Sequence, residues 1–263
     1  MTVPIYQVDA FTSQAFAGNP AAVCVLDEER KDEWLQAVAA EMNLSETAFV
    51  LPGPEGYALR WFTPTVEVDL CGHATLATAH ALYASGRAKP GETLRFATRS
   101  GPLSARQHGG QIILDFPAEP ATSCAVDDGL LAAIGIKPLY SGRNREDFLF
   151  EIASEAELVK LKPDFARLAA LTERGAIVTA RSQSSKYDFV SRFFAPGIGI
   201  DEDPVTGSAH CCLAPYWQQK MGKTKFQARQ LSSRGGELQV EVQGERVLLF
   251  GQAVLVFCGE ILV

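Results

Sequence analysis

The chain has 263 residues, of which 47% are hydrophobic and 21% are charged, a composition typical of folded globular proteins rather than of disordered ones. This length allows one large domain or two ordinary ones, with ample apolar residues for their cores. The formal net charge is −7, which gives no electrostatic support to a polyanionic partner, so we expect no binding of nucleic acid.

The segments that could direct the chain to a membrane or out of the cell do not fit those roles. The first residues, MTVPIYQVDAF, lack the basic region of a secretory signal. The six cysteines are scattered along the chain, which indicates reduced thiols rather than a disulfide framework. The most apolar stretch, 247–263, is interrupted at Gly251, Gln252, Gly259 and Glu260, which predicts a buried β-hairpin rather than a membrane span. We therefore expect a cytoplasmic protein with no membrane partner.

Short strands alternate with a few helices along the chain. The predicted strands are Val3–Asp9, Ala21–Leu26, Thr47–Leu51, Tyr57–Phe62, Gln111–Asp115, Ala176–Thr179, Tyr187–Phe194, Glu237–Val242 and Ala253–Phe257. The predicted helices are Lys31–Met42, Gly72–Tyr83, Asp127–Ile134, Pro163–Leu171 and Pro204–Met221. The segment FPAEPATSCAVDDG, 116–129, is the best candidate for a crossing between two halves.

The two halves of the chain resemble each other. The segment RWFTPTVEVDLCGHATLATAHALYASG, from Arg60, aligns with RFFAPGIGIDEDPVTGSAHCCLAPYWQQKMG, from Arg192, when a loop insertion is allowed. A repeat of this length indicates duplicated domains rather than a solenoid. Each repeat ends in a helix with little polar surface, which predicts that strands surround it. We expect one domain from 1–116 plus 253–263 and another from 117–252.

The segment IDEDPVTGSAHCC, 200–212, is typical of a helix start. Asp203 is expected at the N-cap and Pro204 at the first helical position. The small residues that follow leave backbone amides approachable, as in an anion site. If the domains face each other, this start at Gly207–Ser208 and the one at Gly72–His73 would receive a substrate carboxylate in one cleft.

Four ordered motifs carry a resemblance that spans nearly the whole chain: VDAFTSQAFAGNPAAV, NLSETAFVLP, RWFTPTVEVDLCGHATLATAHAL and DEDPVTGSAH. They resemble the phenazine-biosynthesis-like (PhzF-like) isomerase family, which is related in fold to diaminopimelate epimerase. The resemblance implies an α+β fold of two similar domains, each a β-barrel-like sheet wrapped around a central helix. It also implies an active site in the cleft between them and a homodimer.

The same resemblance implies a chemistry and the residues that perform it. The reaction would be a cofactor-independent relocation of a proton on a small carboxylated substrate. The catalytic acid/base of the family corresponds to Glu46, and His73 and Asp203 correspond to its other catalytic positions. Ser208, with the glycines Gly72 and Gly207 at the helix starts, would line the substrate pocket.

The residues themselves leave several alternatives open. Glu46 begins an apolar strand, where partial desolvation suits a general base, but it could also be a solvated strand-start residue. Asp203 could be a plain N-cap, and both roles are compatible. Cys71 and His73 lack the C-x-x-C or H-x-x-x-H spacing of convergent ligands, so we predict no metal site.

Cys71 raises a second enzymatic hypothesis. The related epimerases use two cysteines, one at each helix start, and Cys71 stands at the first place while Val205 stands at the second. A two-base racemase or epimerase would need both positions, whereas one base that returns the proton on the same face needs neither. A non-catalytic ligand-binding dimer with the same fold is the third hypothesis.

Overall fold

The computed structural model describes residues 2–263, and the chain divides into two compact units. The first unit contains the residues up to Phe116 together with Leu248–Val263, and the second is Pro117–Val247. The sequence places the return to the first domain at 253. The boundary between the units instead lies at 248, within a strand that runs up to Gly251.

Within its described residues, from 2 onward, the first unit contains nine strands and two helices. The strands are β1 (Val3–Ala10), β2 (Asn19–Val25), β3 (Glu46–Gly53), β4 (Gly56–Phe62), β5 (Glu67–Val68), β6 (Thr93–Thr98), β7 (Gly101–His108), β8 (Gln111–Pro117) and β17 (Ala253–Ile261). The helices are α1 (Asp32–Met42) and α2 (Gly72–Ala84).

The second unit contains seven strands, four α-helices and a short 3₁₀ helix at Pro196–Ile198. Its strands are β9 (Thr122–Ser123), β10 (Tyr140–Arg143), β11 (Asp147–Glu151), β12 (Gly175–Arg181), β13 (Phe189–Phe194), β14 (Lys225–Gln230) and β15 (Gly236–Gln243). Its helices are α3 (Asp128–Ile134), α4 (Glu155–Lys160), α5 (Phe165–Leu171) and α6 (Gly207–Met221). Strand β16 (Arg246–Gly251) carries the chain back into the first unit.

The strands of the two units repeat one pairing pattern. In the first unit, β1–β2, β3–β4 and β6–β7 pair antiparallel, while β2–β3 and β4–β6 pair parallel. In the second unit, β10–β11, β12–β13 and β14–β15 pair antiparallel, while β11–β12 and β13–β14 pair parallel. Each parallel pair needs a crossover, and α1 and α2 take the places that α4–α5 and α6 take in the second unit. The repeat in the sequence therefore corresponds to a repeat in the order and direction of the paired strands.

Helix α2 is the central helix of the first unit. Almost all its residues from Gly72 to Leu82 are buried, and it packs against β1, β2, β3, β7 and β17. Its buried hydroxyls are satisfied locally, because Thr75 Oγ1 donates to the Cys71 carbonyl at 2.6 Å and Thr78 Oγ1 to the Ala74 carbonyl at 2.7 Å. A helix without a polar face can thus be enclosed by strands without leaving these hydroxyls unbonded.

Helix α6 has the corresponding place in the second unit. Trp217 stacks on Phe189 of β13 with 5.6 Å between ring centroids, and its indole N–H donates to Thr179 Oγ1 of β12 at 3.1 Å. The Tyr216 hydroxyl donates to the Glu151 carboxylate of β11 at 2.6 Å. These large side chains replace the small residues of α2, so the polar tips of the aromatics meet partners on the surrounding strands.

The carboxyl-terminal segment departs from the sequence-based expectation of a buried hairpin. Residues 247–263 contribute to two strands, β16 and β17, and β17 pairs antiparallel with β1. Leu255, Phe257 and Cys258 of β17 are exposed. The expectation of burial was therefore wrong for β17, because apolar composition does not report which strand faces remain uncovered. No helix among residues 2–263 is long and apolar enough to cross a membrane.

Candidate active site

Three side chains of the first unit lie close together at the start of α2, and two of them, Asn19 and His73, are hydrogen-bonded. His73 Nε2 lies 3.2 Å from Glu46 Oε2, and His73 Nδ1 lies 3.0 Å from Asn19 Nδ2. The side chains of His73 and Glu46 are 4% and 12% exposed. The residues come from three elements: Asn19 begins β2, Glu46 begins β3, and His73 is the second residue of α2.

The local backbone explains why these residues meet. Strands β2 and β3 run parallel with Ala21 opposite Glu46, so the starts of both strands lie side by side. Gly18 precedes Asn19 with φ +65°, and a Cβ there would lie 2.2 Å from the Ala10 carbonyl oxygen. Only glycine fits this close approach, which allows the chain to enter β2 at Asn19.

The protonation state of His73 follows from burial and from its neighbours. Burial lowers the pKa of His73 to about 3, so the ring is neutral at neutral pH. Its Nδ1 accepts from the Asn19 amide, which can only donate through Nδ2, so the ring proton resides on Nε2. The N–H on Nε2 therefore lies on the side of the Glu46 carboxylate, 3.2 Å from Oε2.

Cys71 completes this cluster at the N-cap of α2. It is buried, and its Sγ lies 3.5 Å from His73 Nδ1. Glu46, Cys71 and His73 each offer one ligand atom, and these atoms lie within 4.8 Å of one another. However, Nδ1 of His73 faces the thiol and Nε2 faces the carboxylate, so one ion would use only one edge of the ring. The absence of a metal site remains a prediction from the sequence.

The second unit holds Asp203 in a loop before α6. The Asp203 carboxylate accepts a hydrogen bond from Thr206 Oγ1. Gln230 secures the same loop, because its Nε2 donates to the Asp203 carbonyl at 2.7 Å and its Oε1 accepts from the Thr206 amide at 2.9 Å. Asp203 is 7% exposed and Gln230 is fully buried. The backbone of Asp203 is thus held by a buried amide, and its carboxylate by a hydroxyl.

This loop corrects two expectations about the helix start. Helix α6 begins at Gly207 with Thr206 at the N-cap, so Asp203 does not cap it and Pro204 lies outside it. The buried Gln230 takes the Thr206 amide, and this hydrogen bond holds the loop away from helical geometry. Asp203 is left with a role outside helix capping.

Gly207 and Ser208 are the first two residues of α6, as expected of an approachable helix start, although the helix begins later than predicted. Arg174 Nη2 donates to Ser208 Oγ at 2.5 Å. The same guanidinium pairs with Glu146 through Nη1, and its Nε lies 3.5 Å from Asp147 Oδ1. A cation therefore lies beside the start of α6.

His210, one turn into α6, is a buried neutral histidine. Burial lowers its pKa to about 4, although a hydrogen bond to the backbone opposes the shift. Its Nδ1 lies 2.8 Å from the Thr206 carbonyl oxygen, so Nδ1 carries the proton. We assign His210 a structural role at the start of the helix.

The structure groups the predicted site residues by unit. Glu46, Gly72 and His73 lie together in the first unit, and Asp203, Gly207 and Ser208 in the second. The sequence analysis missed three residues of these groups, namely Asn19, Arg174 and Gln230. Gln230 had a readable signal, since it occupies an inward position of β14 beside Phe226 and Ala228. Arg174 had none.

Residues 8–259 match the family model described as phenazine biosynthesis-like protein. An uncharacterized isomerase of Halalkalibacterium halodurans is 56% identical over 263 residues, which cover 100% of this chain and 99% of the relative. A solved structure of a phenazine biosynthesis protein of the PhzF family from Enterococcus faecalis has a TM-score of 0.94 and 44% identity, and the match covers 100% of both chains.

A hydroxyproline epimerase from Agrobacterium vitis, solved with bound trans-4-OH-L-proline, has a TM-score of 0.63. It is 12% identical, with 99% of this chain and 92% of the epimerase covered, which is a likeness of fold alone. The chain belongs to the phenazine biosynthesis-like family and is an isomerase. The predicted family and the α+β fold class are confirmed.

Proposed function

We propose that this isomerase relocates a proton on a small carboxylated substrate without a cofactor, and that Glu46 is its general acid/base. The observation that carries the proposal is that neutral His73, hydrogen-bonded to Asn19, lies 3.2 Å from the largely buried carboxylate of Glu46. A general base must be ionised, and it must be held in place to remove a proton efficiently. The Nε2–H of His73, 3.2 Å from Glu46 Oε2, would supply both conditions when the two groups align as substrate binds.

The proposed reaction balances with one base. Glu46 takes a proton from carbon, and the electron pair of that C–H bond shifts through an adjacent double bond. The carboxylic acid of Glu46 then returns the proton to the far end of the shifted double bond. No electron is gained or lost, and Glu46 ends ionised as it began, so no redox cofactor is required.

The second unit supplies the proposed contacts to the polar groups of the substrate. Gly207 and Ser208 offer the amides at the start of α6, where an anion is stabilised by about 0.3–2 kcal/mol depending on burial. Gly72 offers the corresponding amide of α2. Asp203, fixed by Thr206 and Gln230, would bind a polar hydrogen of the substrate. A homodimer in the cytoplasm remains a prediction from the sequence.

A racemase or epimerase is the second candidate, and Cys71 is the observation that favours it. Its thiol lies at the N-cap of α2, 3.5 Å from His73 Nδ1. A helix start favours the thiolate, which is the basic form of cysteine. The position at which the sequence comparison expects a second cysteine is the fully buried Val205, whose side chain cannot exchange a proton. The one-base reaction is therefore the better supported candidate.

The test is deuterium incorporation from D₂O into a panel of carboxylated cyclic dienes and amino acids. Glu46→Gln keeps the size of the side chain but cannot accept a proton, so we expect kcat to fall by about 10²–10⁴-fold with Kd little changed. Asp203→Asn should impair binding and turnover together. The matched control is Glu41→Gln, which removes an exposed carboxylate of α1 and should leave kcat unchanged.

Three outcomes distinguish the hypotheses. Near-normal kcat in Glu46→Gln would refute the proposed base. Unchanged turnover in Cys71→Ala would remove the two-base racemase, while its loss would favour that enzyme. No protein-dependent exchange in any member of the panel would favour the non-catalytic ligand-binding protein.

A further inference from the structure

Arg174 is a charged residue that the proposed reaction does not yet use. It lies immediately before β12, and its side chain is 25% exposed. The guanidinium is held by Glu146 through Nη1, lies 3.5 Å from Asp147 through Nε, and donates to Ser208 Oγ through Nη2 at 2.5 Å. It also lies over the ring of Phe193, 5.5 Å from the centroid. The Arg174 side chain is thus held in place by two carboxylates, a hydroxyl and an aromatic ring.

The hydrogen bond to Ser208 has a defined direction. A guanidinium has only donors, so the Ser208 oxygen must accept from Arg174. The hydroxyl proton of Ser208 is then available for a different acceptor. Ser208 is the second residue of α6, where the backbone amides also lack carbonyl partners within the helix. An anionic oxygen at this helix start would therefore meet an O–H donor and not a serine lone pair.

Asp147 gives an independent reason why the guanidinium is fixed. Its carboxylate is 1% exposed, and neither oxygen has a hydrogen-bond partner in the part of the chain that the structure describes. Arg174 is the cation that compensates this buried acid most, and Arg143 contributes less. Movement of the Arg174 side chain would remove the main positive charge beside Asp147. The guanidinium is therefore held in the position in which its Nη2 donates to Ser208 Oγ.

We propose that Arg174 is a positioning residue that keeps Ser208 oriented as a hydrogen-bond donor for the carboxylate of the substrate. This inference rests on the proposed function in one respect, namely that a carboxylate binds at the start of α6. It adds that selection of a carboxylate over a neutral group depends on Arg174 through Ser208.

A double-mutant cycle tests whether Arg174 acts through Ser208. The probes are benzoate and anthranilate, measured by calorimetry at pH 7, with benzyl alcohol as the uncharged comparison. We expect Arg174→Gln and Ser208→Ala each to weaken binding of the carboxylates about 10- to 100-fold, the range for a hydrogen bond to a charged group. The double variant should be little worse than either single variant, because both remove the same hydrogen bond.

Two control variants separate positioning from charge and from folding. Arg143→Gln removes a cation that pairs with the exposed Glu173, and it should leave binding unchanged. Arg174→Lys keeps a charge beside Asp147, so it should fold normally, yet a single ammonium cannot reproduce the planar fork and binding should still weaken. Thermal unfolding of every variant checks the fold. With a turned-over substrate, Arg174→Lys should raise KM far more than it lowers kcat.

The outcomes are independent of the proposed reaction. Three results would overturn the inference. The losses of binding could be additive in the double variant, or Arg143→Gln could weaken binding as much as Arg174→Gln does. The third is that the wild type binds neither benzoate nor anthranilate. Coupled losses without any deuterium exchange would support the inference while refuting the isomerisation by Glu46. Deuterium exchange that depends on Glu46, combined with additive losses of binding in the double variant, would support the isomerisation while refuting the role of Arg174.

Discussion

At the scale of single residues, the protonation state of His73 decides how Glu46 can work. A histidine with an ordinary pKa beside a carboxylate would be protonated over part of the neutral range and could itself transfer protons. Burial lowers the pKa of His73 to about 3, so the ring acts as a neutral donor. Asn19 fixes which nitrogen donates. The proposed division of roles is therefore one acid/base, Glu46, and one neutral N–H group 3.2 Å away that supports it.

This division predicts a difference between two substitutions of His73. His73→Gln retains an N–H donor for Glu46, so turnover should stay within about tenfold of the wild type. His73→Leu removes the donor, and turnover should fall about 10- to 100-fold. His80→Gln on the same helix is the control and should have no effect. Steady-state kcat measures all three, and equal large losses in both His73 variants would mean that the imidazole itself transfers a proton.

At the scale of elements, an arginine–glutamate pair secures the loop before each central helix. Arg60 of β4 binds Glu67 through Nε at 2.7 Å and Nη2 at 2.8 Å. Arg192 of β13 binds Glu202 through Nε at 2.7 Å and Nη2 at 2.9 Å. The two arginines are the first residues of the aligned repeats. Glu202 is thus one half of a duplicated clamp.

The clamp predicts a stability effect for Glu202→Gln. The side chains of Arg192 and Glu202 are only 11% and 18% exposed, and loss of the charge leaves the guanidinium partly uncompensated. We expect the free energy of unfolding to fall by about 1–3 kcal/mol, measured by urea denaturation. Glu237→Gln is the control, because its pair with Lys186 is exposed and should contribute nothing measurable. Equal midpoints for the two variants would contradict the clamp.

At the scale of the whole molecule, the buried titratable groups predict how stability depends on pH. Folding lowers the pKa values of His73 and His210 to about 3 and 4, so between these values and about 6.5 the unfolded chain binds more protons. Their contributions are complete above pH 6.5 and are lost as the pH falls. Burial raises the pKa of Asp147 to about 6, so its contribution has the opposite sign and is lost as the pH rises from about 3.9 through 6.

Two histidines outweigh one aspartate, so these three groups make stability fall as the pH is lowered from 7 to 5. Urea midpoints at pH 5, 6 and 7 measure the trend. His73→Gln should flatten it, since the titrating group is removed, and Asp147→Asn should steepen it. Exposed His108→Gln is the control and should leave the trend unchanged. A trend that is the same in His73→Gln as in the wild type would show that His73 is not buried in the neutral form.

The sequence alone determined the features that depend on local pattern. The apolar run from Gly72 predicted a helix to Tyr83, and the structure gives Gly72–Ala84. The prediction succeeded because small and apolar residues on every face of a helix indicate that it is buried on all sides. The repeat that begins at Arg60 and Arg192 predicted two similar domains, and the duplicated strand pairing has the same origin. The motifs also identified the family, and with it the candidate residues Glu46, His73 and Asp203.

Only the tertiary structure decided which side chains meet. Asn19 and His73 are 54 residues apart in the chain, Arg174 and Ser208 are 34 apart, and Thr206 and Gln230 are 24 apart. No local periodicity links such positions, since their contacts arise from strand pairing and from the crossover of each central helix. The late start of α6 has the same cause. Asp203 and Pro204 have the local preferences of a helix start, but the buried Gln230 forms hydrogen bonds that hold their loop outside the helix.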